Sequence, residues 1–283
     1  MKRLLTFLAF FTLLISFLGG CFSTPTSSPS STSSSPSPTE VQKALVAVFY
    51  PVMDESDFYL VREVHEVIKT TNLMKTALEE LIRGVPHTPK AFRVIPEGTE
   101  ILGIEVKEGQ AVVNFSRKVL EANVGSALEA LGISSIVNTL CEFPGIEMVS
   151  FQVEGKVDQE TMDWWGHIGL YEQPFKPNWN SVMKPAIWVT WPLPGEKVES
   201  PLTIRGKAMV FEASLSGRIK DSQGKTLAQG NTMASKGAPE RGDFQLKLQF
   251  NPPTTEEGYI EIFTYSPKDG SEIIEATVPI KFK

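Results

Sequence analysis

The sequence predicts two modules in series, an α+β layer followed by an all-β sandwich. Three observations point there. Between Lys43 and Phe175, two stretches of helical periodicity interrupt runs of strand-like sequence. Beyond Ala186, β-rich segments recur at short intervals, with turn signals between them and no convincing helix. Ahead of both, a Ser/Thr/Pro tract separates an apolar N-terminal segment from the rest.

The first segment, residues 1–20, carries Lys2 and Arg3 before the apolar run Leu4–Leu18. That run has the length of a signal-peptide core and falls short of the ~20 residues that span a bilayer. Leu18-Gly19-Gly20-Cys21 closes it and resembles the bacterial lipobox. The resemblance implies that Cys21 is acylated and becomes the first mature residue. The rest of the chain is then extracytoplasmic and lipid-anchored to the cell membrane, and several acyl chains make the anchor effectively permanent. Residues 21–42 are dominated by Ser, Thr and Pro, bury nothing, and read as a disordered tether.

Without Lys2 and Arg3 the chain keeps 25 Lys and Arg against 33 Asp and Glu, a net −8. No basic patch stands out, so nucleic acid is excluded as an expected partner. With Cys21 taken by the anchor, Cys141 is alone and forms no intramolecular disulfide. It sits in the apolar run Ser134–Cys141 and reads as a buried, inert thiol.

The α+β domain is assigned to residues 43–175. Ala44–Tyr50 is a continuous apolar strand that Pro51 ends. Asp54–Asp57 is a turn, and Phe58–Lys69 pairs back. Thr70 or Thr71 caps a helix with Leu73, Ala77, Leu78 and Leu81 on one face, and Gly84 stops it. Ile101–Val106 and Ala111–Phe115 form a hairpin with Gly109 at the bend. A second helix runs from about Ser126 to Leu140, with Gly132 as a weak point and Phe143-Pro-Gly145 as its stop. Glu147–Val153 is the last strand. The order ββα–ββα–β predicts one mixed sheet with both helices on one face.

Three tracts of this domain resemble a known family: Arg93–Leu102, Gly109–Ser116 and Ile136–Gly145. Together with Ala77–Gly84, Val149–Lys156 and Gly166-His-Ile168, they resemble the GerMN domain of sporulation and spore-germination proteins. Cys141 departs from the family's usual small polar residue, and Trp164-Trp165 is an unusually aromatic variant. Residues 176–185 read as a linker. In residues 186–283, strand-like segments begin near Ile187, Leu202, Phe211, Thr226, Phe244, Tyr259 and Ile273. About seven short strands in ~100 residues predict an immunoglobulin-like sandwich without its disulfide. Ser200-Pro-Leu202, Phe211-Glu-Ala213 and Ser266–Gly270, in that order, resemble the immunoglobulin-like domain of bacterial spore germination. The tandem implies a link to sporulation or germination.

Catalytic patterns fail at required positions. His65-Glu66 begins a zinc-protease motif, but residue 69 is Lys. His65, His87 and His167 are scattered, so no metal site is assigned. Gly224-Lys-Thr226 lacks the earlier phosphate-loop glycine, since Ile219 stands there, and no nucleophile elbow occurs. Asp158, Glu160 and Asp163 beside Trp164-Trp165 could serve a sugar subsite, but a solvated acidic loop is the simpler reading. The expectation is therefore a non-enzyme without cofactors. It is a lipid-anchored envelope scaffold or binding module, with envelope proteins, peptidoglycan or a second copy of itself as partner. The alternatives are a ligand-binding lipoprotein serving a transporter and a cell-wall glycan binder or hydrolase. Trp164, Trp165, Tyr171, Trp179, Trp188 and Trp191 straddle the boundary. They either pack the domains together or form an exposed partner-binding patch.

Overall fold

The computed structural model describes residues 42–55 and 57–283. The expected signal segment, the Cys21 attachment site and nearly all of the expected tether lie outside the described residues. From Val41 to Lys283 the chain forms one compact unit.

Strands β1 (Lys43–Asp54) and β2 (Asp57–Ile68) form a long antiparallel hairpin in register from Lys43↔Ile68 to Asp54↔Asp57. Pro51 does not end β1 but pairs with Leu60 inside it. A proline is tolerated there because β1 is the edge of its sheet, where no neighbour needs the missing N–H. The Pro51 carbonyl instead accepts from the Phe92 backbone N–H at 3.0 Å.

Helix α1 (Leu73–Arg83) follows, capped by Asn72, whose side chain accepts from the Lys75 N–H, and not by Thr70 or Thr71. Ala77, Leu78, Leu81 and Ile82 form its buried face. Gly84 follows because a Cβ there would sit 2.5 Å from the Glu80 carbonyl. Strands β3 (Ile101–Lys107) and β4 (Gln110–Phe115) make the second hairpin, with Gly109 at φ +80° in its turn. Helix α2 (Ser126–Cys141) comes next, then β5 (Met148–Val153), parallel to β4. A short helix α3 (Gln159–Asp163) was not expected from the sequence.

One mixed sheet was expected, but the first half has two three-stranded sheets, β1-β2-β6 and β3-β4-β5. The β1 edge of the first sheet is closed to a further strand. Pro51 has no donor, and the Val52↔Ala91 bridge covers the same edge. Both helices pack on the first hairpin, α1 also reaches β3 and α2 reaches β5, so a single core spans both sheets.

The sixth strand, β6 (Val182–Lys184), pairs parallel with β2. The segment expected as a linker is thus built into the first sheet, preceded by a 3-10 turn at Trp179–Ser181. It leads directly to β7 (Ile187–Trp191). The remaining strands are β8 (Glu196–Val198), β9 (Leu202–Ala208), β10 (Ser214–Asp221), β11 (Thr226–Met233), β12 (Gly242–Leu248), β13 (Glu257–Tyr265) and β14 (Glu272–Phe282). A five-stranded sheet β11-β10-β13-β14-β8 and a three-stranded sheet β12-β9-β7 bury one shared core, including Ile204, Leu246, Ile260 and Ile262. The short β8 was not foreseen. Phe211, expected to start a strand, lies in a 3-10 turn ahead of β10.

Candidate functional site

The six aromatic positions divide by burial. Trp164 and Trp165 are 4 % and 6 % exposed, so neither presents a surface to a partner. Their rings stack at 5.5 Å, and Trp164 also stacks on Phe151. The Trp165 Nε1 donates to the Val119 carbonyl at 2.7 Å. Gly132 is the seat of this ring and not a weak point of α2, since a Cβ at that position would lie 2.3 Å from it.

Trp188 is also buried, at the junction of the two halves. Its ring meets Phe49 and Trp179 edge-on, and its Nε1 donates to Glu142 Oε1 at 3.1 Å. The other Glu142 oxygen takes two N–H groups of Arg62. The guanidinium carbons of Arg62 and Arg241 lie 5.4 and 4.2 Å from the Trp188 ring centre. Trp179 is half-buried, with the Lys207 ammonium 4.7 Å from its ring centre. These residues pack the halves together. Only Tyr171 and Trp191 keep exposed rings, and the Tyr171 hydroxyl is tied to Asp163.

The acidic residues suspected of a sugar subsite all have structural partners. Asp158 caps α3, and the hydrogen bonds from Thr161 hold its carboxyl below the usual range. Glu160 pairs with Arg117 and Asp163 with Gln159 and Tyr171. Burial pushes the Cys141 thiol up to about 12, so it is not a thiolate at neutral pH.

A groove of about 940 Å³ lies on the second half. Phe211 and Tyr265 stand in it with Gln229, Asn231, Ile273 and Glu275. Phe211 is 74 % exposed. The next two residues, Glu212 and Ala213, both have positive φ, at 52° and 58°. A pair of non-glycine residues in this region holds strain in the loop that presents the ring. Sequence reading missed this groove, because Phe211-Glu-Ala213 reads as strand and its conformation is set by tertiary contacts.

A second cluster was also missed. The two histidines His65 and His87, far apart in sequence, stack with ring centres 4.2 Å apart. His65 lies between two carboxylates, Nε2 at 2.7 Å from Glu63 and Nδ1 at 2.7 Å from Glu80. His167 lies elsewhere, with its Nε2 beside the Val124 carbonyl.

The fold defines a two-part, β-rich protein in which an α+β module carries a β-sandwich. The comparisons supply the particular kinds. Residues 39–159 match the family described as sporulation and spore germination. Residues 186–271 match the immunoglobulin-like domain of bacterial spore germination. The two matches lie in tandem along the chain.

Among solved structures, the tandem GerMN domains of the sporulation protein GerM from Bacillus subtilis are similar at 21 % identity. That match covers 48 % of this chain and 45 % of that one, with a TM-score of 0.39. The first GerMN domain of the same protein is similar at 21 % identity and TM-score 0.39, over 47 % of this chain and 97 % of that one. The chain thus spans less than half of the tandem structure. None of the curated proteins matches it. Among the described residues no helix is long and apolar enough to cross a membrane.

Proposed function

We propose that this is a non-catalytic, lipid-anchored protein of the bacterial envelope, linked to sporulation or germination, that binds cell-wall glycan through the groove on its β-sandwich. The groove carries the reading. Phe211 and Tyr265 offer flat apolar faces on which sugar rings stack, and Gln229, Asn231 and Glu275 offer hydrogen-bonding groups for hydroxyls. The α+β half, packed against the sandwich through Trp188, serves as a rigid mount. Acylated Cys21 holds the assembly at the membrane.

Incubation with purified peptidoglycan tests this. Retention without cleavage, lost in Phe211→Ala, is expected. Cleavage of the glycan would replace binding with hydrolysis. Capture of a protein partner through the same groove, with no glycan retained, would assign the groove to envelope assembly instead. Separately, Cys21→Ala should release the chain from membranes or leave its precursor uncleaved.

A further inference from the structure

We infer that Glu63, His65 and His87 form a binding site for a divalent transition metal, with Glu80 as the residue that orients His65. Glu63 and His65 are two apart on β2, so they project from the same face of the strand. Glu80 reaches them from α1, and His87 from the loop that follows it. The candidate ligand atoms of Glu63, His65 and His87 all lie within 4.8 Å of one another.

The hydrogen bonding makes the case. Glu80 Oε1 lies 2.7 Å from His65 Nδ1 and accepts its N–H. With that proton placed, a neutral imidazole carries a lone pair on Nε2. This lone pair faces Glu63 Oε2 at 2.7 Å. Two acceptors at that distance need a positive charge between them, either a second ring proton or a metal ion. A carboxylate behind a ligating histidine is the usual arrangement that fixes the tautomer and raises ligand basicity.

Charge points the same way. Among the described residues neither Glu63 nor Glu80 has a lysine or arginine within ion-pair distance, and their only charged partners are His65 and His87. Glu63 is buried, and its carboxylate is held in place by the backbone N–H groups of His87 and Thr88, each at 2.8 Å. A dication neutralises the two carboxylates that no basic side chain reaches.

Access and ligand type define the ion. The His87 side chain is 68 % exposed, so the site opens to solvent on that side. Two imidazole nitrogens and one carboxylate oxygen suit zinc, nickel or copper and disfavour magnesium and calcium. Three protein ligands leave a fourth position for water or an incoming group. Binding requires that Glu63 and His65 part by about half an ångström, toward the ~3.3 Å between ligands of a tetrahedral site with ~2 Å bonds, and that the exposed His87 ring turn out of its stack on His65 so that its lone pair meets the same ion.

The test is calorimetric titration of the untagged full chain, freed of metal by chelation, with zinc chloride and with magnesium chloride. One equivalent of zinc should bind. Magnesium should not bind. His87→Ala, at an exposed position, should weaken zinc binding at least tenfold, and Glu80→Gln by about 10- to 100-fold. His167→Ala should change nothing. The proposal fails if zinc binds without stoichiometry, if His87→Ala leaves the affinity intact, or if His167→Ala removes it. Imidazole nitrogen chemical shifts of His65 and His87 that do not move on adding zinc would also overturn it.

Discussion

Arg241 joins the connection between the halves to the sandwich, and its replacement gives the sharpest test of how they are held. Its side chain is buried, yet no carboxylate pairs with it among the described residues. The guanidinium instead donates to three backbone carbonyls: Ala186 at 2.7 Å, Val182 at 2.7 Å and Pro185 at 3.1 Å. It also covers the Trp188 ring at 4.2 Å. Burial, with a smaller contribution from the charge of Arg62, pushes its pKa down to about 10, so the charge is held at a cost.

Arg241→Met keeps most of the volume and removes every donor. The Ala186 carbonyl keeps the Met209 N–H at 2.9 Å, but the Val182 and Pro185 carbonyls lose a donor at ~1–3 kcal/mol each, and the stacked cation contributes about 1 more. Relief from burying a charge offsets part of that sum, so the net loss should be about 3 kcal/mol. For a chain of this size that lowers the melting temperature by about 6–12 °C. Urea denaturation read by tryptophan fluorescence measures it, with Trp188 reporting the junction directly. Arg241→Lys should fall between the two, because one ammonium cannot reach three diverging carbonyls. A loss below about 1 kcal/mol for Arg241→Met, or full stability in Arg241→Lys, would refute the reasoning.

Gly132→Ala sets two effects against each other: about 1 kcal/mol of helix propensity gained, and ~1–3 kcal/mol of overpacking against a Trp165 ring pinned at Val119. The clash should win, and a stabilised variant in thermal melts would show that the ring moves freely. Arg218 and Lys220 hold the Glu261 carboxyl below its ordinary 4.5, outweighing the upward effect of burial. Its stabilisation should thus be complete above about pH 4.5 and lost as pH falls through the lower folded value, a dependence that Glu261→Gln should reduce in urea melts. Cys141 should react slowly with iodoacetamide at pH 8 in the folded chain and at an ordinary rate in urea, and equal rates would contradict its raised pKa.

Local chemistry made much of the chain legible from sequence. Helix α2 spans Ser126–Cys141 where the apolar spacing puts it, and the hairpin bend falls at Gly109, because both signals lie within a few neighbouring residues. The β-rich second half is legible for the same reason: turn residues punctuate alternating strands. What only the tertiary structure decided are relations between distant segments. The ladder that builds residues 182–184 into the first sheet pairs them with Leu60 and Val61, and nothing local encodes it. Trp164 and Trp165 read equally well as a patch or as core, and the small face at Gly132 selects core. His65 and His87 become one cluster because the chain returns from α1 past β2, and the carboxylate of Glu63 then holds the backbone of the returning loop. Sequence determines which residues are apolar, which turn and which are charged. Proximity across the fold determines which buried charge meets which imidazole.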